Sequence, residues 1–156
     1  MNKYVNIIES NILGESWDSF WADIDNIVIE GSLKPVLILT KKYESSAEEI
    51  QLQKMLQACN LVAEQYNILQ LQEQQLVAWH QIKEKLSPKF ILLIGTSPSQ
   101  LGISALFKLN EFNHFSDCIW IPTLSLKEWE TQPETKKQLW TGGLKPIFIE
   151  KSFGNI

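Results

Sequence analysis

The residues best placed for chemistry form a four-residue loop, Pro122-Thr123-Leu124-Ser125, which follows a predicted buried strand at residues 117–121. Open α/β folds place ligands and reacting groups at the carboxyl ends of their strands, so an active site is expected at this loop. The loop contains no His, Asp, Glu, Cys or Arg. Its side chains offer hydroxyl groups alone, and this points away from catalysis.

A second loop, residues 95–100 (GTSPSQ), lies between a predicted buried strand and a predicted short helix, where phosphate-binding loops occur. A P-loop requires GxxxxGK followed by Ser or Thr, and a dinucleotide site requires GxGxxG. This loop has one early glycine, a proline that removes a backbone donor, and no lysine. We therefore predict an ordinary turn between strand and helix around Thr96 and Ser97.

The other reactive side chains are scattered. His80 lies in a predicted helix, and His114 lies in a polar loop near Asp117, without a second ligand at metal-binding spacing. Cys59 and Cys118 are far apart in apolar stretches, which is typical of buried free thiols. The sequence predicts no catalytic residue, no metal and no cofactor.

Length and charge restrict the class of protein. A chain of 156 residues is expected to form one domain, residues 1–156, with a core of its own. The net charge of -4 and the lack of a basic stripe predict that direct DNA binding is weak or absent. The sequence has no long apolar segment and no evident signal peptide, so we expect a cytoplasmic protein that does not cross a membrane.

The elements that must position these loops alternate along the chain. Apolar stretches predict strands at residues 36–40, 66–71, 90–94 and 117–121. Helices are predicted at residues 46–59, 74–86, 101–109, directly after Ser125, and at 133–140. We expect Ser46 and Glu49 to form a capping box and Gly142-Gly143 to end the last helix. The alternation predicts a three-layer α/β/α domain with a mostly parallel central sheet of about four strands.

The two ends of the chain flank a core at residues 34–145. In residues 1–31, apolar side chains at helical spacing predict an amphipathic helix over residues 16–29: Trp17, Phe20, Trp21, Ile24 and Val28. Trp17, Phe20 and Trp21 either anchor this helix to the sheet or, if exposed, bind a protein partner. The regular stripe favours the core interpretation. Residues 146–156 are predicted to be an edge strand or a tail.

The order of the elements resembles that of the uracil-DNA glycosylase superfamily. Residues 90–106 (FILLIGTSPSQLGISAL) resemble its central strand, glycine and following helix. Residues 121–140 (IPTLSLKEWETQPETKKQLW) resemble its last motif: a strand, the catalytic loop, a short helix, then a proline-opened helix with a basic pair and a tryptophan. Residues 36–40 and the helix after them are similar to its first motif. The resemblance covers residues 34–145 and implies a glycosylase-like α/β fold.

Both positions that carry the chemistry of that superfamily differ here. Its first motif has a glycine-rich loop with an acidic or amide residue, whereas the loop KKYES contains Tyr43 and Glu44 without a glycine. Its last motif supplies a histidine, whereas Thr123, Leu124 and Ser125 stand here. Base excision requires a polar group for the anionic leaving base. The resemblance therefore implies a catalytically silent domain with vestigial site loops.

This fold also has a non-catalytic branch, the psi subunits of bacterial DNA polymerase III, and the C-terminal stretch of this chain resembles theirs. Psi subunits are accessory proteins of the clamp loader. This resemblance implies a protein partner, the clamp loader or another replication subunit, bound through the N-terminal segment around Trp17 and Trp21. Two alternatives stay open. One is a divergent, active DNA glycosylase or nucleic-acid hydrolase using Glu44, Ser125 or His114, and the other is a small-ligand binding module in the same crevice.

Overall fold

A computed structural model describes residue 29 and residues 31–150 of the chain, so Trp17, Phe20 and Trp21 lie outside the described residues. Five strands form one sheet in the order β2-β1-β3-β5-β4. Neighbouring strands are parallel except β4, which is antiparallel to β5. The strands are β1 (Val36–Lys41), β2 (Tyr66–Leu71), β3 (Phe90–Ile94), β4 (Asn113–Phe115) and β5 (Cys118–Thr123).

Helices cover both faces of this sheet. They are α1 (Ser46–Ala58), α2 (Trp79–Leu86), α3 (Leu126–Thr131) and α4 (Pro133–Leu139), and α4 continues into a π-helical segment, Trp140–Glu150. Short 3₁₀ turns lie at Ala63–Gln65 and Pro98–Leu101. The predicted α/β class with a mostly parallel sheet is confirmed, and the sheet has five strands where about four were expected.

The sheet separates two apolar clusters. Val36 and Ile38 of β1 face a first cluster with α1, α3, α4 and the π-helical segment. Leu37 and Leu39 face a second cluster with α2. Successive side chains of a strand point to opposite faces, so a strand covered on both sides must be apolar throughout. This explains why the three central strands were readily recognised from the sequence.

Strand β4 was missed because its sequence is polar and short. Asn113 pairs with Trp120 and Phe115 with Cys118, so Ser116 and Asp117 form a two-residue hairpin loop. Both have a positive φ, 55° and 59°, as a tight hairpin turn requires. Ser-Asp lacks the glycine that usually signals such a turn, and the stretch was therefore interpreted as a loop.

One predicted helix is shorter than the sequence indicates, and another does not form. The helix predicted from residue 74 begins at Trp79, because Gln74 has φ 65° and the backbone N–H of Val77 donates to the carbonyl of Gln100 at 2.8 Å. The helix predicted at residues 101–109 is absent from the described chain. A 3₁₀ turn ends instead at Gly102, whose φ of 75° terminates it.

The ends of the first and last helices also differ from expectation. Ser45, not Ser46, is the N-cap of α1, and its hydroxyl makes no capping hydrogen bond, so the predicted capping box is wrong. Gly142 and Gly143 do not end a helix. A Cβ at Gly142 would lie 2.8 Å from the carbonyl oxygen of Asn110, so glycine is needed for close packing. Residues 146–150 are helical, whereas residues 146–156 were predicted to be an edge strand or a tail.

Candidate functional site

The carboxyl ends of β1, β3 and β5 form the edge of the sheet at which an open α/β fold is expected to have its ligand crevice. From β1 the chain passes to β2 on one side and then returns to β3 on the other, which makes this edge a topological switch point. The register aligns Thr40 of β1 with Ile94 of β3 and Ile94 with Thr123 of β5. The loops that carry the predicted vestigial residues therefore begin at one level of the sheet.

The loops after β3 and β5 are in direct contact. The backbone N–H of Gly95 donates to the carbonyl of Thr123 at 3.0 Å. Gly95 has φ +69°, and a Cβ there would lie 2.7 Å from the Cβ of Ser125. Any larger residue would collide with the second loop, so Gly95 brings the two loops together. It does not form a phosphate-binding turn.

Two of the threonines at this edge, Thr96 and Thr123, are buried and bonded to other elements of the chain. Thr96 is 7% exposed and donates its hydroxyl to the carbonyl of Leu39 at 3.3 Å. Thr123 is 4% exposed, and its Oγ1 accepts the indole N–H of Trp129 at 3.2 Å. Both hydroxyls are hidden from solvent and connect strand ends to the surrounding elements.

Ser125 caps helix α3, as the sequence predicted. Its Oγ accepts the backbone N–H of Glu128 at 3.2 Å and donates to the Glu128 carboxylate at 3.0 Å. The same carboxylate accepts the backbone N–H of Ser125 at 3.1 Å, which completes a capping box. Leu124 packs against the first apolar cluster. This loop has the hydrogen-bond pattern of a helix start.

We expect Ser125→Ala to lower the free energy of unfolding by about 1 kcal/mol, because the first turn of α3 loses its side-chain cap. Urea denaturation measures the change. Ser45→Ala is the matched control, since Ser45 is also an N-cap but makes no side-chain capping bond. Equal effects of the two substitutions would contradict the assignment of Ser125 as the functional cap.

The 3₁₀ turn after β3 uses its polar groups in the same way. The backbone N–H of Ser97 donates to the Gln100 side chain at 3.1 Å, and the hydroxyls of Ser97 and Ser99 are 2.7 Å apart. Gln100 in turn donates to the carbonyl of Gln75 at 3.0 Å. These bonds close the turn on itself and on the segment before α2, as an ordinary connection would.

The loop after β1 supplies a second carboxylate near these loops, besides that of Glu128. Glu44 is 63% exposed and forms an ion pair with Lys127 of α3 at 3.5 Å. Tyr43 packs against the first apolar cluster, and its backbone N–H donates to Gln70 at 3.1 Å. Burial, and secondarily the charge of Glu49, raises the pKa of the Tyr43 phenol. A paired, solvated carboxylate and a neutral phenol are poor candidates for acid–base catalysis.

Both cysteines are buried free thiols, as predicted. Burial raises the pKa of Cys59 to about 12. Burial also raises the pKa of Cys118, whose thiol donates to the carbonyl of Pro88 at 3.3 Å. Nucleophilic cysteines require a lowered pKa and access to solvent, so neither thiol is suited to catalysis.

We expect both thiols to react with Ellman's reagent at pH 8 about a hundred times more slowly in the folded protein than in denaturant.

The raised pKa of Cys59 also has a consequence at alkaline pH. The thiol of Cys59 ionises near pH 9.0 in the unfolded chain but only near pH 12 in the folded protein. The folded state is therefore favoured fully below pH 9, and the free energy of unfolding falls as the pH rises from 9 toward about 12. Urea denaturation should therefore show a smaller loss of stability above pH 9 in Cys59→Ala. An unchanged slope would contradict the shift.

The remaining candidates do not join the crevice. His80 is exposed on α2, and His114 lies on β4 with its ring 6.0 Å from that of Phe112. Across residues 31–150, no three His, Cys, Asp or Glu side chains converge as a metal site. None of the helices in that range is long and apolar enough to span a membrane.

No protein-family model matches the chain, and no curated protein matches it.

A groove between α1 and α4 was not anticipated from the sequence. It has a volume of about 390 Å³, and the described residues that line it are Gln51, Lys54, Met55, Ala58, Pro133, Lys136, Lys137 and Trp140. Four come from each side at positions i, i+3, i+4 and i+7. This repeated spacing was visible in the sequence, but only the tertiary structure shows that the two faces oppose each other.

Proposed function

We propose that this chain is a catalytically silent, uracil-DNA-glycosylase-like domain that acts through protein–protein contacts, as a psi-like accessory of a bacterial clamp loader. One observation carries the non-catalytic part of the proposal. The polar side chains at the crevice are used within the chain: Thr96 bonds Leu39, Thr123 bonds Trp129, and Ser125 caps α3.

The contact between the two loops supports the same conclusion. A glycosylase must admit a flipped base between the loops that follow its strands. Here a single Cβ added at Gly95 would already collide with Ser125. The carboxylates beside these loops are engaged as well: that of Glu44 pairs with Lys127 at 3.5 Å, and that of Glu128 accepts from Ser125. A domain with this crevice is better suited to serve as a scaffold than to hydrolyse a glycosidic bond.

The psi-like part of the proposal rests on the order of the elements and on the N-terminal aromatic residues. We expect the purified chain to bind reconstituted bacterial clamp-loader subunits in a pull-down at micromolar protein. The triple variant Trp17→Ala/Phe20→Ala/Trp21→Ala should lose this binding if the N-terminal segment is the anchor. The control, Leu33→Ala/Val62→Ala/Leu106→Ala, removes three exposed apolar side chains from the described part of the chain and should bind normally.

Two results would overturn the proposal. The absence of clamp-loader binding at micromolar protein would remove the psi-like function. Release of uracil from a uracil-containing oligonucleotide above the protein-free background would show that the domain is an active glycosylase. Thermal melts of all variants distinguish a lost contact from a lost fold.

A further inference from the structure

The groove between α1 and α4 has an apolar base with cations around it. Met55 is buried at its base, and Trp140 is half-buried and packs against the first apolar cluster. Ala58 and Pro133 complete the apolar lining. A partly exposed tryptophan beside apolar neighbours is the kind of surface on which binding energy concentrates in protein interfaces.

The polar groups of the groove are mainly hydrogen-bond donors. Lys54, Lys136 and Lys137 supply three ammonium groups, and none of the described residues that line the groove is an Asp or Glu. The amide Nε2 of Gln51 is buried without a hydrogen-bond acceptor. In a chain with a net charge of -4, such a local excess of cations and donors favours a ligand rich in carboxylate oxygens.

The roles of these lysines within the fold explain only part of the cluster. Lys136 and Lys137 lie in the last turn of α4, where a cation offsets the helix dipole. Lys54 lies in the interior of α1, where the dipole gives it no such role. Among the described residues, none of the three lysines forms an ion pair with a carboxylate. Their charges are therefore available to a binding partner.

We propose that this groove binds an acidic amphipathic segment of a partner protein. The apolar side chains of that segment would contact Met55 and Trp140, and its carboxylates would pair with the three lysines. Two helix faces with i, i+3, i+4, i+7 spacing form the kind of groove that receives an amphipathic helix. Nucleic acid fits less well, because it requires a longer track of cations, and the chain has no arginine. The inference rests on described residues alone and does not depend on the clamp-loader proposal.

The probe is a synthetic, fluorescein-labelled helical peptide with leucines at i, i+3, i+4 and i+7 and glutamates at the other positions. Fluorescence anisotropy should show binding with a Kd of tens of micromolar or tighter. The variant Lys54→Glu/Lys136→Glu/Lys137→Glu should weaken it by about tenfold or more, and Trp140→Ala by about fivefold. Lys85→Glu/Lys89→Glu/Lys108→Glu makes the same charge change at exposed lysines outside the groove and should alter the Kd by less than about twofold.

A second, charge-swapped peptide has lysines in place of the glutamates. It tests whether the groove variant binds the acidic peptide weakly because of its charge and not because it is unfolded. It should bind the groove variant more tightly than it binds the wild-type chain, while thermal melts verify that both are folded. No binding of the acidic peptide up to about 100 µM, or equal weakening by the control variant, would overturn the proposal. Tighter, groove-dependent binding of oligothymidylate would also overturn it, in favour of a nucleic-acid surface.

Discussion

Trp129→Ala is expected to lower the free energy of unfolding by about 3–5 kcal/mol, a large part of the stability of a domain of this size. Trp129 is 1% exposed and lies in the apolar cluster that joins α1, α3 and α4 to the sheet. Truncation leaves a cavity there and also removes the hydrogen bond from its indole N–H to Thr123. Urea denaturation monitored by circular dichroism measures the loss.

The cavity and the hydrogen bond can be separated. Trp129→Phe retains most of the apolar volume but leaves the buried Oγ1 of Thr123 without its donor. Thr123→Val removes the acceptor. We expect the double-mutant cycle of these two substitutions to give a coupling energy of about 1 kcal/mol. A coupling near zero would mean that the Thr123 hydroxyl does not depend on Trp129 as its partner. That result would contradict the assignment of this hydrogen bond and would favour the ligand-binding alternative.

Gly95→Ala is expected to lower the free energy of unfolding by about 3 kcal/mol. The left-handed backbone at φ +69° accounts for about 1 kcal/mol of this. The remainder comes from overpacking, because the new Cβ would lie 2.7 Å from the Ser125 Cβ and 2.9 Å from its Cα. Relief would require the loop after β5 to move away from β3 and α3 to lose its cap.

Gly102→Ala is the matched control for this substitution. Gly102 has a similar φ of 75° but is exposed, so its replacement should cost only the backbone term of about 1 kcal/mol. The difference between the two variants isolates the contact between the loops. Equal stability losses would show that the crevice is open at Gly95, which would argue for the ligand-binding alternative.

The central strands and one helix cap could be predicted because their causes are local. Strand β1 is apolar on both faces, and this pattern belongs to a buried parallel strand whatever surrounds it. The start of α3 was also correct, because Ser125 and Glu128 satisfy each other three residues apart. Periodicity and reciprocal capping are encoded within a few residues.

Two of the elements predicted incorrectly depend on distant residues. The start of α2 is delayed because the N–H of Val77 is bonded to Gln100, which lies in a loop after the next strand. The glycines after α4 matched a C-cap in the sequence, yet Gly142 and Gly143 pack against Asn110 and Ile121. No local pattern could reveal these contacts, and each overrode the local preference.

The sequence by itself determined which chemical groups are present: hydroxyls at the strand ends, two thiols in apolar stretches, and no histidine in the loops that follow the central strands. Only the tertiary structure decided how those groups are used. Packing of the loop after β5 against Gly95 closes one side of the crevice, and the threonines find partners in Leu39 and Trp129. The opposed faces of α1 and α4 likewise form a cationic groove. The physical reason is that hydrogen-bond satisfaction and charge clustering depend on residues brought together by the fold.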